Sequence, residues 1–541
     1  MQAQERSIQA SGRQAVTLLV ALWCCTFAVG TRHTLERQAH PGAGVPGSAH
    51  SALSRFAHTK VFVLNVSEVA AELGLPTCSE DLFVTDPEAL IVLPNPALVP
   101  NLTANPPEPP PGHEWIYPYA SSPHYNSQNA GPWYVLQTLR NSGSSVETID
   151  EADVVYVYDY CYHMRALADH HAQKHWWLKD QYNPERTVGK HLMSSYRAMM
   201  VLPRWRRSGG ADFVFFHAHP GFEWDDVDVT TELQSLLCND FQWATMVVVE
   251  QGQRWRCPTF TPRSTILAPY ASTEVVSSLD SGVPDEERDV LAFFRGSCDP
   301  ASEFMGKLFR EIIVFNMNKA DAGREDDDTS DIDACCSGQD AKPRVACTER
   351  NYPLNAMRVQ PHRELLGNMT RSIFCLMIPG NSQSSQRLTE AFLTGCIPVF
   401  VGPPWHSLPL TQMVDYSAAG VFLNITFTGV EGGVPWWWTH PEIKAQEGLD
   451  PRAQDIDRFS PAWWFPDVPA SAIVPLTRLL LVRPYLRQMP IEWMDEKQAA
   501  VARYRNLFTY STVPQDPPSA SDAIIEQFVA YATFGRHKAV D

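Results

Sequence analysis

The stretch "RSIFCLMIPGNSQSSQRLTEAFLTGCIPVFVG", residues 371–402, contains a complete strand–turn–helix–strand pattern. An apolar run leads into a polar turn, and from 385 to 394 the apolar residues recur at the three- and four-residue spacing of one buried helical face. Gly395 ends this helix, and a second apolar run follows at once. Two apolar strands joined by a helix in this way are typical of a parallel sheet with helices on its faces.

One arginine and one glutamate, Arg387 and Glu390, lie within this helix. A helix that follows a parallel strand has its N-terminus at the carboxyl edge of the sheet, where α/β proteins bind nucleotides. We therefore predict that Arg387 binds a pyrophosphate and that Glu390 accepts hydrogen bonds from ribose hydroxyls. The alternative is a surface ion pair three residues apart, which would contribute little stability. The turn and the start of the helix add polar candidates for the same nucleotide, namely Gly380, Asn381, Ser382 and Ser385.

Similar apolar runs recur on both sides of this unit and alternate with segments of helical length. Earlier strands are predicted within 152–160, 211–221, 244–252 and 264–270, and the pattern restarts at 289–297. We predict two α/β halves with a cleft between them, one at 113–270 and the other at 271–500.

The N-terminal segment resembles a targeting signal. Residues 1–14 contain two arginines and are predicted to be a cytosolic tail, and 15–31 to be a signal anchor. Its apolar core is shorter than the about 20 residues of an ordinary spanning helix, so a cleaved signal peptide is the alternative. Residues 32–112 are predicted to be a stem with a proline-rich spacer, and 501–541 a C-terminal helical segment. In either case the body of the protein is expected in the lumen of the secretory pathway.

Composition and cysteine usage agree with a folded lumenal protein. The chain of 541 residues is 44% hydrophobic, and its formal charge of −18 argues against a general nucleic-acid binder. An oxidising compartment permits disulfides, and we predict Cys238 with Cys257, and Cys298 with one of three later cysteines. Those three are Cys335, Cys336 and Cys347. In contrast, Cys375 and Cys396 are predicted to be buried thiols.

Other sequence patterns concern glycosylation and metal ions. Four asparagines begin an Asn-x-Ser/Thr triplet and are predicted glycosylation sites: Asn65, Asn101, Asn368 and Asn424. No spacing of Cys and His in the sequence resembles a zinc site, so no metal is predicted. A tryptophan-rich stretch at 436–464 is either a sugar-stacking surface or the packing core of a long insertion.

Five segments of the chain, in order, resemble the exostosin family of inverting glycosyltransferases. These segments are 147–162, 202–219, 261–270, 288–297 and 371–410. The resemblance implies a GT-B fold, in which two Rossmann-like halves face each other across a cleft, and a type II anchor in the Golgi membrane. It also implies a nucleotide-sugar donor, most often a UDP-sugar, bound by the C-terminal half. Arg387 and Glu390 match family positions, and so does Arg295 beside Gly296, as a second cation for the pyrophosphate.

The general base is the least specific part of this resemblance. An inverting transferase needs a base that takes the proton of the acceptor hydroxyl. His217 and His219 end a strand of the N-terminal half, but where family members commonly have a His-Asp pair this chain has His219 followed by Pro220. Asp159, at the end of another strand, is a further candidate. Three acidic residues of the following loop could also substitute: Glu223, Asp225 and Asp226.

The predicted function is transfer of a sugar from a nucleotide diphosphate sugar, UDP-linked, to a glycan or glycoprotein acceptor with inversion. Groups such as Arg295 and Arg387 can stabilise the leaving diphosphate, so no obligatory metal is expected. The alternative is a catalytically silent family member that binds glycan or stabilises a complex. Predicted partners are the nucleotide sugar, the acceptor, the membrane through the anchor, and a partner glycosyltransferase chain. A hydrolase is disfavoured because no pair of carboxylates flanking a glycan is evident.

Overall fold

The computed structural model describes part of the chain, all of it within one compact unit, Ala52–Asp541. The described residues are 59–78, 83–86, 91–94, 130–159, 161, 184–218, 231–233, 235–250, 265–272, 288–297, 310, 313–314, 317–318, 332–337, 359–378, 384–401, 408–425, 468–477 and 479–536. The predicted boundary at 270 lies inside this unit and stays a prediction.

Strands and helices alternate along the described residues. The strands are β1 (Val61–Asn65), β2 (Phe83–Asp86), β3 (Ile91–Pro94), β4 (Val154–Tyr158), β5 (Phe213–His217), β6 (Thr245–Val248), β7 (Thr265–Leu267), β8 (Val290–Ser297), β9 (Ile332–Ser337), β10 (Ser372–Met377), β11 (Ile397–Val401), β12 (Val421–Ile425) and β13 (Ile473–Leu476). The helices are α1 (Val66–Glu72), α2 (Gly131–Asn141), α3 (Pro184–Met200), α4 (Pro203–Ser208), α5 (Val359–Thr370), α6 (Gln386–Thr394), α7 (Tyr416–Ala419), α8 (Val482–Arg487), α9 (Ile491–Tyr504) and α10 (Ala520–Arg536).

The first sheet contains five parallel strands in the order β1-β4-β5-β6-β7. Every residue of β4, β5 and β6 is buried. A strand covered on both faces needs no polar alternation, which explains why these segments are continuous apolar runs. The predicted parallel strands of the N-terminal half are therefore confirmed.

The second sheet contains six parallel strands in the order β13-β12-β11-β10-β8-β9. Helix α6 connects the neighbouring strands β10 and β11, as the pattern at 371–402 predicts. Successive side chains of β10 point to opposite faces: Cys375 and Met377 lie in one hydrophobic cluster, Phe374 and Leu376 in another. The protein is thus a mixed α/β fold with two parallel sheets, consistent with a Rossmann-like glycosyltransferase fold.

The predicted stem, 32–112, requires a correction. Strand β1 pairs in parallel with β4 and α1 follows it directly, so residues 61–72 belong to the folded core. Val61 and Val66 are almost fully buried. The run "VFVLN" is short and directly follows a segment rich in small residues, so its strand partner cannot be recognised from local pattern alone.

The C-terminal helix α10, which lies within the helical segment predicted at 501–541, packs on the first sheet rather than on the second. The ring of Phe528 stacks on Tyr156 of β4, with 5.9 Å between ring centres. Nearby, Thr138 of α2 donates a hydrogen bond to the carbonyl of Ser511 at 2.6 Å. The chain therefore returns from the second sheet to the first before it ends.

The disulfides correct one prediction and extend another. Cys375 and Cys396 are bonded to each other rather than free, and a second disulfide joins Cys78 to Cys161. The free-thiol prediction is wrong because neighbouring parallel strands place the two sulfurs together, although 21 positions separate them in sequence. Cys238 and Cys335 are also disulfide-bonded, while the partners predicted for them lie outside the described residues.

Three of the four predicted glycosylation sites lie in regular structure. Asn65 caps α1: its Oδ1 accepts from the Ser67 N–H at 3.1 Å, and its Nδ2 donates to Glu68 Oε1 at 2.9 Å. Asn368 lies in α5 and Asn424 in β12, whereas Asn101 is outside the described residues. Glycosylation of all four stays a prediction.

The N-terminal anchor predicted at 15–31 lies outside the described residues, as does the tryptophan-rich stretch at 436–464. Within the part of the chain that the structure describes, no helix is long and apolar enough to cross a bilayer.

Candidate functional site

Helix α6 begins and ends as its sequence predicts. Ser385 is the N-cap, and its Oγ accepts a hydrogen bond from the Arg387 N–H at 3.3 Å. Gly395 follows the last turn in the left-handed conformation, with a φ of 70°, which glycine adopts without a steric penalty. The helix follows β10, so its N-terminus and Arg387 lie at the carboxyl edge of the second sheet.

The guanidinium of Arg387 is enclosed at this edge. Its carbon lies 4.6 Å from the ring centre of Phe294 in β8, and Nη2 donates to the carbonyl of Arg295. Nε and Nη1 are buried and have no hydrogen-bond partner among the described residues. Burial lowers the pKa of Arg387, whereas the nearby Glu390 charge raises it. Two buried donors without acceptors are expected where an anionic ligand supplies the acceptors.

A second arginine, Arg310, lies beside Arg387 and was missed in the sequence. Its guanidinium carbon is 5.7 Å from the centre of the same Phe294 ring, and Nη2 donates to the carbonyl of Ile378 at 3.3 Å. Burial and the Arg387 charge lower the pKa of Arg310 to about 9, so the group is still charged at pH 7. Its sequence signal was a lone arginine within the apolar run "KLFREIIVF".

Gly296 allows the close approach of these arginines to β8. A Cβ atom at this position would lie 3.0 Å from Arg387 Nη2, 3.0 Å from Phe294 Cζ and 3.4 Å from Arg310 Nη1. A side chain at 296 would therefore shift a guanidinium or the ring by a few tenths of an ångström. Glycine fits this space without such a shift, and the nucleotide-binding role predicted for Gly296 stays a prediction.

Arg295, predicted as the second cation, is held elsewhere. Its Nη1 lies 3.2 Å from Glu364 Oε1 and its Nη2 lies 3.6 Å from Asp333 Oδ2. Its guanidinium is near Phe293, whose side chain points to the opposite face of the sheet from Phe294. Two carboxylates already compensate this charge, so Arg310 is the better placed partner for Arg387. The nucleotide-binding role of Arg295 stays a prediction.

The remaining predicted donor residues are only partly described. Glu390 is 5% exposed and lies one turn after Arg387 in α6. Its proposed contact with a ribose stays a prediction. Gly380, Asn381 and Ser382 lie outside the described residues.

The candidate bases lie at the carboxyl edge of the first sheet. His217 is the last residue of β5; it is 1% exposed, and its Nε2 is 2.8 Å from the hydroxyl of Tyr196. Such burial is typical of a structural histidine and leaves little access for an acceptor sugar. Asp159 directly follows β4 and is half-buried. His219 and three acidic alternatives, Glu223, Asp225 and Asp226, lie outside the described residues.

Hydrogen bonds join the carboxyl edges of the two sheets. Glu250, two residues after β6, accepts from the Ser384 N–H at 2.8 Å and from the Ser384 hydroxyl at 2.6 Å. The hydroxyls of Tyr270 and Ser384 are 2.8 Å apart, and Thr389 of α6 donates to the Tyr270 carbonyl at 3.1 Å. The N-terminus of α6 is therefore attached to the sheet that contains Asp159 and His217. Nothing local in the sequence pairs Glu250 with a serine 134 positions away, so Glu250 was not predicted.

Among the described residues, no group of three or more His, Cys, Asp or Glu side chains could hold a metal ion. The site consists of guanidinium groups, a helix N-terminus and carboxylates. Positive charge at the carboxyl edge of a parallel sheet can bind a phosphate-containing ligand and stabilise negative charge that develops on it.

Comparison with known proteins gives the family. The chain is 23% identical over 220 residues to a probable glucuronoxylan glucuronosyltransferase of Arabidopsis thaliana. The aligned residues cover 40% of this chain and 40% of the relative. It is 22% identical over 205 residues to a second probable glucuronoxylan glucuronosyltransferase of Arabidopsis thaliana, 37% of this chain and 38% of the relative. It is also 25% identical over 221 residues to a probable glucuronosyltransferase of Oryza sativa subsp. japonica, 41% of this chain and 46% of the relative. Each match thus spans less than half of the relative's length.

The match to the family itself is longer and includes the first sheet and five of the six strands of the second. The exostosin GT47 domain matches residues 57–426, which contain β1 to β12, Arg310, Arg387 and Glu250. Its first residue lies just before β1, in agreement with the corrected start of the folded core. On this evidence the chain belongs to the exostosin GT47 family.

Proposed function

We propose that this chain is a glycosyltransferase of the GT-B type that transfers a sugar from a UDP-sugar to a glycan or glycoprotein acceptor with inversion. The observation that carries the proposal is the pair of guanidiniums of Arg310 and Arg387 beside the N-terminus of α6. Two neighbouring buried positive charges repel each other and have lost their hydration, which costs free energy. The negative charge of a diphosphate between or beside them would offset that cost for both arginines. The family and the names of the relatives support the same reaction class.

The arrangement of the two sheets supports a GT-B interpretation. The bonds from Ser384 to Glu250 bring the carboxyl edge of the first sheet to the donor helix of the second. In the proposed enzyme the second sheet holds the UDP-sugar and the first holds the acceptor. The reacting carbon would then lie between the two carboxyl edges, within reach of a base on the first sheet.

Between the described candidates we propose Asp159 as the general base. Asp159 is half-buried at the edge of the sheet, whereas the ring of His217 is almost fully buried and bonded to Tyr196. A general base must approach within hydrogen-bond distance of the acceptor hydroxyl, which requires an accessible side chain.

The leaving diphosphate would be stabilised by Arg310, Arg387 and the N-terminal turn of α6. These groups supply fixed positive charge where negative charge develops during bond cleavage. The proposal therefore includes turnover without an obligatory divalent cation. Since the relatives are named as glucuronosyltransferases, UDP-glucuronic acid is the first donor to screen.

The proposed location is the Golgi lumen, with a type II anchor or, alternatively, a cleaved signal. Two disulfides, Cys78–Cys161 and Cys375–Cys396, support an oxidising compartment. A partner glycosyltransferase chain stays part of the proposal.

Calorimetric binding of UDP, GDP and CMP to the secreted residues 52–541, with Mn²⁺ and with EDTA, tests the donor site. The proposal expects selective binding of UDP under both conditions, followed by transfer from at least one UDP-sugar to a glycan acceptor. A chain that binds none of the three nucleotides would contradict it and favour the silent-subunit alternative. The buried ring of His217 is the observation that favours that alternative.

A further inference from the structure

Glu250 is a buried carboxylate that belongs neither to the proposed nucleotide-binding residues nor to the candidate general bases. It is 7% exposed and lies two residues beyond β6, at the carboxyl edge of the first sheet. Its Oε2 accepts from both donors of Ser384, the backbone N–H at 2.8 Å and the hydroxyl at 2.6 Å. Ser384 immediately precedes the N-cap of α6. A carboxylate of one sheet therefore holds the start of the donor helix of the other.

The hydrogen bonds of this cluster have a definite direction. The hydroxyl of Ser384 has a single proton, and because a carboxylate can only accept, that proton goes to Glu250. The hydroxyl of Tyr270, 2.8 Å from the same Ser384 oxygen, must then donate to Ser384. Both donors of Ser384 therefore point to one oxygen of Glu250, and hydrogen bonds to a carboxylate are stronger than those to a neutral acceptor.

A second contact holds the next turn of the same helix. Thr389 Oγ1 donates to the Tyr270 carbonyl at 3.1 Å, and Thr389 is 1% exposed. Helix α6 is thus attached to the first sheet at two points, Ser384 and Thr389. Two attachments about one turn apart determine both the position and the rotation of a helix, and Arg387 lies between them.

We infer that Glu250 is a positioning residue of the transfer reaction: by holding Ser384, it sets the position of the donor helix relative to the acceptor-side sheet. The inference rests on the proposed function. Catalytic rate depends steeply on the alignment of reacting groups, and a displacement of about 1 Å can lower it about 100-fold. In the proposed function donor affinity rests mainly on the charges of Arg310 and Arg387, which Glu250 does not contact in any described hydrogen bond.

The decisive variant is Glu250→Gln, which keeps the shape of the side chain and removes its charge. We expect UDP to bind with a Kd within about 3-fold of wild type, while kcat for transfer falls at least about 10-fold. The KM for the donor should change little. Glu72→Gln, which alters an exposed carboxylate at the end of α1, is the matched control and should transfer at the wild-type rate.

A milder variant covers the case in which Glu250→Gln is not secreted. Ser384→Ala removes the hydroxyl but leaves the backbone N–H in place, and we expect it to lower kcat about 3- to 10-fold at unchanged UDP affinity. Where both variants fold, the double variant should be little slower than Glu250→Gln alone, because the two residues share one interaction.

Three results would overturn the inference. If Glu250→Gln transfers sugar at the wild-type rate, Glu250 has no positioning role, and the proposed function stays intact. Equal losses of UDP affinity and kcat, together with a lower Tm, would make Glu250 a residue of general stability. A wild-type chain that binds no nucleotide overturns the proposed function, and the inference fails with it.

Discussion

Arg310 and Arg387 place their guanidinium groups on the same aromatic ring, that of Phe294, at 5.7 and 4.6 Å from its centre. They come from segments 77 positions apart and meet over the carboxyl edge of the second sheet. Each is desolvated, and the charge of Arg387 contributes to the lowered pKa of Arg310. The pair is therefore a buried cationic site, which an anionic ligand would stabilise.

Removing either guanidinium should weaken nucleotide binding. A hydrogen bond to a charged group contributes about 1.5–3 kcal/mol, so Arg310→Met and Arg387→Met should each raise the Kd for UDP roughly 10- to 150-fold by calorimetry. Arg207→Met, at an exposed position paired with Asp150, should leave the Kd unchanged. Normal UDP binding by both variants would exclude the phosphate role.

Replacing the proposed base should separate chemistry from binding. We expect Asp159→Asn to lower kcat by about 10²- to 10⁴-fold while the Kd for UDP stays within about 3-fold of wild type. Asp150→Asn, at an exposed position of the same half, is the control. If Asp159→Asn transfers at the normal rate, the base lies elsewhere, and His219 becomes the next residue to replace.

The disulfide between Cys375 and Cys396 should contribute to stability. It closes a loop with a sequence separation of 21 that contains the whole of α6. Loop-closure entropy predicts that the double variant Cys375→Ala/Cys396→Ala loses about 3 kcal/mol in the free energy of unfolding, measured by urea titration. Non-reducing peptide mapping should recover the linked pair from the wild-type chain. Free thiols at both positions would contradict the assignment.

Acidification should destabilise the fold through His191. Burial lowers the pKa of this half-buried histidine in α3, and its Nδ1 has no hydrogen-bond partner among the described residues. In the window between the folded pKa and the ordinary value of about 6.5, the unfolded chain binds more protons, so stability is lost as the pH falls through it.

The measurement is the urea midpoint at about pH 7.5 and about pH 5.5, on either side of the ordinary histidine pKa. The midpoint of the wild-type chain should fall more between the two pH values than that of His191→Gln, whose side chain does not titrate. An identical fall in both proteins would show that His191 contributes nothing to the pH dependence of stability.

The secondary structure around α6 was predictable because its signals are local. The helix begins after Ser385 and ends at Gly395, and its apolar face repeats at helical spacing, as the structure confirms. Strand β1 was not predictable, because its five residues acquire a strand partner only 93 positions later, at Val154. The disulfide between Cys375 and Cys396 was not predictable either, because sequence separation does not show which strands lie side by side.

The sequence by itself determined the alternation of parallel strands and helices, the start and end of α6, the place of Arg387 at the carboxyl edge of a sheet and the resemblance to the exostosin family. All of these depend on residue type and near-neighbour spacing, which act over one or two turns of chain. Only the tertiary structure decided that the guanidinium of Arg310 lies beside that of Arg387, and that Glu250 holds Ser384 at the start of α6. Charge pairing and hydrogen bonding act over a few ångströms in space, and it is the packing of the two sheets that brings these distant residues within that range.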